Sequence, residues 1–145
     1  MKALIMKRDP FLGSCAWIVV GIPLGVVLAT ASRNVSWAAH LGWFPLIFVA
    51  GVILFGILFG PGAIVIGVIH SSLMDAIAER CNSREQFTGW SIATGALLAP
   101  LALLPATLLF NFIPIGAREI AVSAICGGVC GAVSASWATQ STRPT

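Results

Sequence analysis

Cys126 and Cys130 stand four residues apart, so on a helix their thiols share a face. Two thiolates so placed suit a soft metal ion, with Cys15 or His70 as further ligands. The chain has no CxxC and no cysteine-rich tail, and His70 falls nearer a predicted helix end than Cys126. We therefore read the thiols as packed apolar groups and expect no metal and no cofactor. Asp75, Glu79, Arg80, Arg84 and Glu85 form the one charged cluster with the makings of interfacial lipid chemistry. Alternating signs on a short helix describe a solvated face, and there is no HExxH, GxSxG or P-loop. No catalytic residue is assigned, and a non-enzymatic protein is expected.

Two further constellations carry physical meaning. Glu119 falls just inside a predicted helix start, with Arg118 beside it and Arg33 on the same side. An interfacial ion pair that fixes that helix start is predicted, with the mouth of a small pore as the alternative. Pro23, Pro61 and Pro100 sit near the middle of three apolar runs. Each removes a backbone donor and frees a carbonyl one turn earlier. Gly60-Pro61-Gly62 gives up helix propensity three times in a row, which makes it the sharpest candidate hinge or gate, either a kink or a break.

The elements that must position these residues follow from charge. The chain carries 8 Lys and Arg and 5 Asp and Glu, or 9% charged residues, against about 25% in ordinary soluble domains. That excludes a soluble enzyme, a disordered chain, a coiled coil and a nucleic-acid-binding module. The uncharged gaps run over 10–32, 34–74, 86–117 and 120–142, each longer than the roughly 20 apolar residues that cross a bilayer core. The expected fold class is an all-α membrane protein, a compact bundle of four transmembrane helices forming a single domain over 1–145. The spans fall at about 11–31, 43–69, 87–110 and 115–139, with a short amphipathic helix over about 70–80 that carries Leu73 and Ile77 on one face. Residues 81–86 read as a polar turn.

Ala29-Thr30-Ala31 has the spacing of a signal-peptidase site. The apolar run before it is about 20 residues, against roughly 7–15 for a signal-peptide core, so the first helix is expected to be retained. With the N-terminus inside, Lys2, Lys7, Arg8, Arg80, Arg84 and Arg143 gather on the cytoplasmic side, and Arg33 and Arg118 lie outside. Both termini are then cytoplasmic. Trp17, Trp90 and Trp137 fall near inner span ends and Trp37 and Trp43 near outer ones, the pattern of an aromatic belt.

Every span carries small residues at four-residue spacing. They are Gly21, Gly25 and Ala29; Gly56 and Gly60, then Ala63, Gly67 and Ser71; and Ser91, Gly95 and Ala99. The fourth span has two such rows, Ser123, Gly127, Gly131, Ala135 and Ala124, Gly128, Ala132, Ser136. Such rows let helix backbones approach closely. The doubled fourth span exceeds what one antiparallel neighbour needs, so Ser123, Gly127, Gly131 and Ala135 are the expected partner-binding face.

Contact surfaces are plentiful here, and chemical groups are scarce. The expected function is helix–helix binding to a partner in the bilayer. Its most concrete forms are an immunity protein against a membrane-targeting toxin and an accessory subunit of a membrane complex. The alternatives are a small oligomeric channel or transporter with proline-kinked helices and a membrane-bound lipid-modifying enzyme. Expected partners are membrane lipid and a membrane protein or a second copy, with no nucleic acid. The excess of arginine over lysine and the abundance of glycine and alanine suggest a bacterial chain, placed as a multi-pass protein in the inner (plasma) membrane.

Overall fold

The structure, a computed structural model, describes residues 14–31, 44–104 and 116–140. The expectations placed on Lys2, Lys7, Arg8, Arg33, Trp37, Trp43 and Arg143 lie outside the described residues. Those described form four helices and no strand.

Helix α1 enters through a π-helical turn, Trp17–Gly21, and continues as Ile22–Ala31. Pro23 accounts for the turn. Its ring cannot pass the carbonyl of Val19 in α-helical register, and a wider turn at that carbonyl relieves the clash.

Helix α2 runs unbroken over Phe44–Ala78 and contains Pro61. At 1.5 Å per residue it is about 52 Å long. Gly60-Pro61-Gly62 is therefore not a break. Pro61 lies on the exposed side, while Gly62 turns inward, where a Cβ would sit 3.0 Å from the Ala102 carbonyl oxygen. The second glycine is thus explained by the close passage of the next helix. Residues 70–78 are the last turns of α2 rather than a separate amphipathic helix. Their buried face is His70, Ser71 and Met74, and Leu73 points outward. Ile77 packs partly buried against Met74, Phe87 and Ala135, so of the two residues expected on the apolar face only Leu73 is misplaced.

Helix α3 spans Arg84–Leu98 and tightens into a 3-10 turn, Ala99–Leu103, at Pro100. It starts within the predicted polar turn. Ser83 caps it by accepting the Gln86 N–H at 3.1 Å, and the Gln86 side chain accepts the Asn82 N–H at 3.1 Å. This Ser-x-x-Gln spacing is a capping-box signal that a reading by charge alone passes over. Helix α4 covers Ala117–Gln140.

Each helix packs against its neighbours in sequence, and α4 closes the ring onto α1. The facing residues give the directions. Gly51 meets Val26 while Gly67 meets Ser14, so α1 and α2 are antiparallel. His70 meets Ser91, Gly95 meets Gly127, and Gly21 and Gly25 meet Cys130 and Cys126. Every adjacent pair is antiparallel, and the start of α1 shares an end of the ring with the close of α4. Phe48–Ala78 of α2 and Ala117–Trp137 of α4 are long and apolar enough to cross a membrane, while the apolar stretch of α1, Ser14–Leu28, is shorter.

Candidate functional site

The interior packs apolar residues such as Trp17, Ile66, Met74 and Phe87 around a set of buried polar groups, and large aliphatic side chains cover much of the surface. Among the described residues the buried polar side chains are Ser14, His70, Ser71, Ser91, Thr94 and Ser134. Val49, Ile53, Ile57, Val65, Leu97 and Ile125 stand exposed, Ile57 at 70%. No described Asp, Glu, Lys or Arg is buried.

His70 organises the interior. It is 0% exposed, although its closeness to the end of an apolar run predicts a place near the surface. Its Nε2 donates to the Ser91 carbonyl at 3.1 Å and lies 3.5 Å from Ser91 Oγ. Ser91 Oγ in turn donates to the Gly131 carbonyl at 2.8 Å. One imidazole and one hydroxyl thereby stitch α2 to α3 and α3 to α4. Thr94 Oγ1 bonds the Trp90 carbonyl at 2.8 Å and approaches Met74 Sδ at 3.4 Å, which adds a second tie between α2 and α3. On the remaining side, the Trp17 ring meets His70 edge-on at 5.8 Å and 62°. Trp17 is only 4% exposed, so it belongs to the interior and not to an aromatic belt. Trp90 and Trp137 are exposed at 50% and 37%.

The glycine rows seal this interior. The α3–α4 pair is the most extensive contact in the fold. A Cβ on Gly95 or Gly127 would run into the other's carbonyl, and one on Gly131 into that of Ser91. Gly127, Gly131 and Ala135, the expected partner face with Ser123, are buried in this intramolecular seam. The parallel row is taken up too, since a Cβ on Gly128 would touch Ile92 and Ala96. Gly127 and Gly131 of one row and Gly128 of the other thus face the same neighbour, α3.

Cys130 and Cys126 face α1, where Gly21 and Gly25 leave room for them. A Cβ on Gly21 would be 3.0 Å from Cys130 Sγ, and one on Gly25 4.0 Å from Cys126 Sγ. The thiols act as knobs in glycine holes. All four cysteines are free, and no group of three or more metal-binding side chains assembles among the described residues.

Glu119 accepts the Gly116 N–H at 3.0 Å, and Ile120 N–H bonds the Gly116 carbonyl at 3.2 Å. Its carboxylate thus secures the start of α4 through the backbone. Asp75, Glu79, Arg80, Arg84 and Glu85 are all exposed. Pro61 and Pro100 lie at nearly one level, since Gly62 meets Ala102, while Pro23 lies along α2 between the Gly51–Val26 and Gly67–Ser14 crossings, toward the Gly51 end. The buried role of His70 escapes a reading of the sequence because its flanks, Ile69 before and Ser71-Ser72 after, carry no chemical motif.

Compared with protein-family models, curated proteins and solved structures, the chain matches none.

Proposed function

We propose that this chain is a multi-pass protein of the bacterial inner membrane. Its four helices all span the bilayer as a compact bundle with cytoplasmic termini, and it works by helix–helix contact with a partner in that bilayer. The carrying observation is an extensive aliphatic surface over an interior that holds polar groups among its apolar ones. Apolar groups such as Ile53, Ile57 and Val65 face outward on α2, and hydroxyls and an imidazole face inward. Lipid solvates such a surface, while the small-residue seams supply the close packing that association without a hydrophobic drive requires. Since the Gly127 row is used within the chain, the partner surface moves to the outward face of α2. The most concrete forms are protection against a membrane-targeting toxin and an accessory subunit of a membrane complex.

Two measurements test the reading. Alkaline carbonate washing should leave the protein in the membrane fraction, and reporter fusions after residues 82 and 145 should both report cytoplasm. A photo-crosslinker at Ile57 should join the chain to a membrane protein, and one at the buried Ala135 should not. Release into the soluble fraction removes the membrane assignment. Crosslinks to lipid alone remove the partner.

One observation favours a second reading. His70 is an ionisable group inside the proposed bundle, the kind of residue that marks ion and solute pathways. A small channel or transporter would show solute flux in liposomes that H70A abolishes.

A further inference from the structure

The buried residues of α1 break the helical period once. Val26 and Ile22 are buried four positions apart, but the next inward side chain, Trp17, comes five positions before Ile22. The π turn Trp17–Gly21 lies across that gap. Ala16 before it and Ile22 after it both keep α-helical dihedrals, φ −60°, ψ −39° and φ −67°, ψ −54°. The turn is therefore one extra residue set into an otherwise ordinary helix. It rotates everything before it by about 100° relative to everything after it. In an unbroken α-helix Ile18 would stand one turn before Ile22 and face inward. Here Ile18 and Val19 are exposed, and the inward place belongs to Trp17. From it the indole packs with Ala63 and Ile66 of α2, Ala99 of α3 and Cys130 of α4, and meets the His70 ring edge-on.

We propose that Pro23 is a register lock: by holding the π turn in α1 it selects Trp17, rather than Ile18, to cover His70 at the centre of the bundle. The proline ring excludes the α-helical register at the Val19 carbonyl, and the wider turn that accommodates it shifts the preceding residues by one place. Without the ring, the turn relaxes to α-helix and recovers its regular hydrogen bonds. Ile18 then turns toward the imidazole, and its smaller side chain leaves part of the indole's place empty. Ser14, which now meets Gly67, turns away together with Trp17 because the residues before the π turn move as one piece. Pro23 thus acts on His70 from a distance, through the phase of the helix. The lock rests on chain geometry and holds whichever function the bundle serves.

Two variants of the purified full-length protein test the lock. The readouts are the NMR cross-relaxation peak between the Trp17 indole and the His70 imidazole, and the unfolding midpoint. In P23A the cross-peak should vanish. The midpoint should fall by about 5 °C, although alanine is by far the better helix former, because the indole has left the centre. The second variant adds deletion of Val19, which is 62% exposed, to P23A. Trp17 then stands four positions before Ile22, so an unbroken α-helix carries it to the same place. Cross-peak and midpoint should both return. A cross-peak that persists in P23A overturns the proposal, since the register would not need the proline. A double variant no better than P23A overturns it too, since the π turn would not be one inserted residue. If P23A does not fold, recovery of the fold and the cross-peak in the double variant supports the lock, and failure of both overturns it.

Discussion

The His70 imidazole donates through Nε2 to the Ser91 carbonyl at 3.1 Å, while the hydroxyl of that serine donates to the Gly131 carbonyl at 2.8 Å. Ser91 is thus the joint through which α2 reaches α4. The arrangement requires Gly131, because a side chain there would occupy the place of the Ser91 carbonyl. These hydrogen bonds and the small-residue seam are one structure, because the bonds reach carbonyls where the backbones touch.

Removing the imidazole should therefore loosen three helices at once. H70A deletes a fully buried side chain and its bond to Ser91, a loss of about 2–4 kcal/mol. Detergent or thermal unfolding of the purified protein measures it. An unchanged midpoint would show that His70 has no part in cohesion.

Glycines divide into two classes by what a methyl group would meet. G131A places a Cβ in the Ser91 carbonyl and should cost about 1–3 kcal/mol, and Gly127→Leu or Gly131→Leu should prevent the α3–α4 seam from closing. Gly56 has nothing within 4 Å, so G56A should stabilise α2 by up to about 1 kcal/mol through helix propensity. Unfolding midpoints that rank G56A below G131A would contradict the seam.

The α1–α4 contact predicts a compensating pair. G21A pushes a methyl against Cys130 Sγ, 3.0 Å away, and should destabilise; adding C130A removes the obstructing sulfur and should restore most of the loss. Additive losses in the double variant would mean that the two residues do not oppose each other.

Thiol accessibility follows from burial. A bulky maleimide should modify the half-buried Cys81 in the folded protein and leave Cys130, at 0% exposure, unreacted until denaturant is added. Mass spectrometry of the labelled chain reads both sites. Labelling of Cys130 without denaturant would show that the seam opens.

Helix starts give a smaller effect. S83A removes the cap that accepts the Gln86 N–H and should cost about 1 kcal/mol, measured as a lower unfolding midpoint. An unchanged midpoint would mean that the capping bond contributes nothing to α3.

Much of the helical layout can be read from charge placement. Arg80, Arg84, Arg118 and Glu119 lie at or beside the ends of α2, α3 and α4, and the long uncharged runs between them form the bodies of the helices. The small-residue rows likewise announce, from spacing alone, that backbones will come into close contact. Spacing along one helix, however, specifies a face and not what lies across from it. Whether Gly127 and Gly131 meet a partner or α3, whether Trp17 sits at a rim or against His70, and whether Leu73 or Met74 turns inward depend on how four helices are rotated in the ring. Those rotations are set by where backbones can touch and where buried hydroxyls find carbonyls, contacts between residues 20 to 40 positions apart such as Thr94 with Met74 and Ser91 with Gly131. Local pattern carries no information at that range, so the polar centre of this protein emerges only once the helices are assembled.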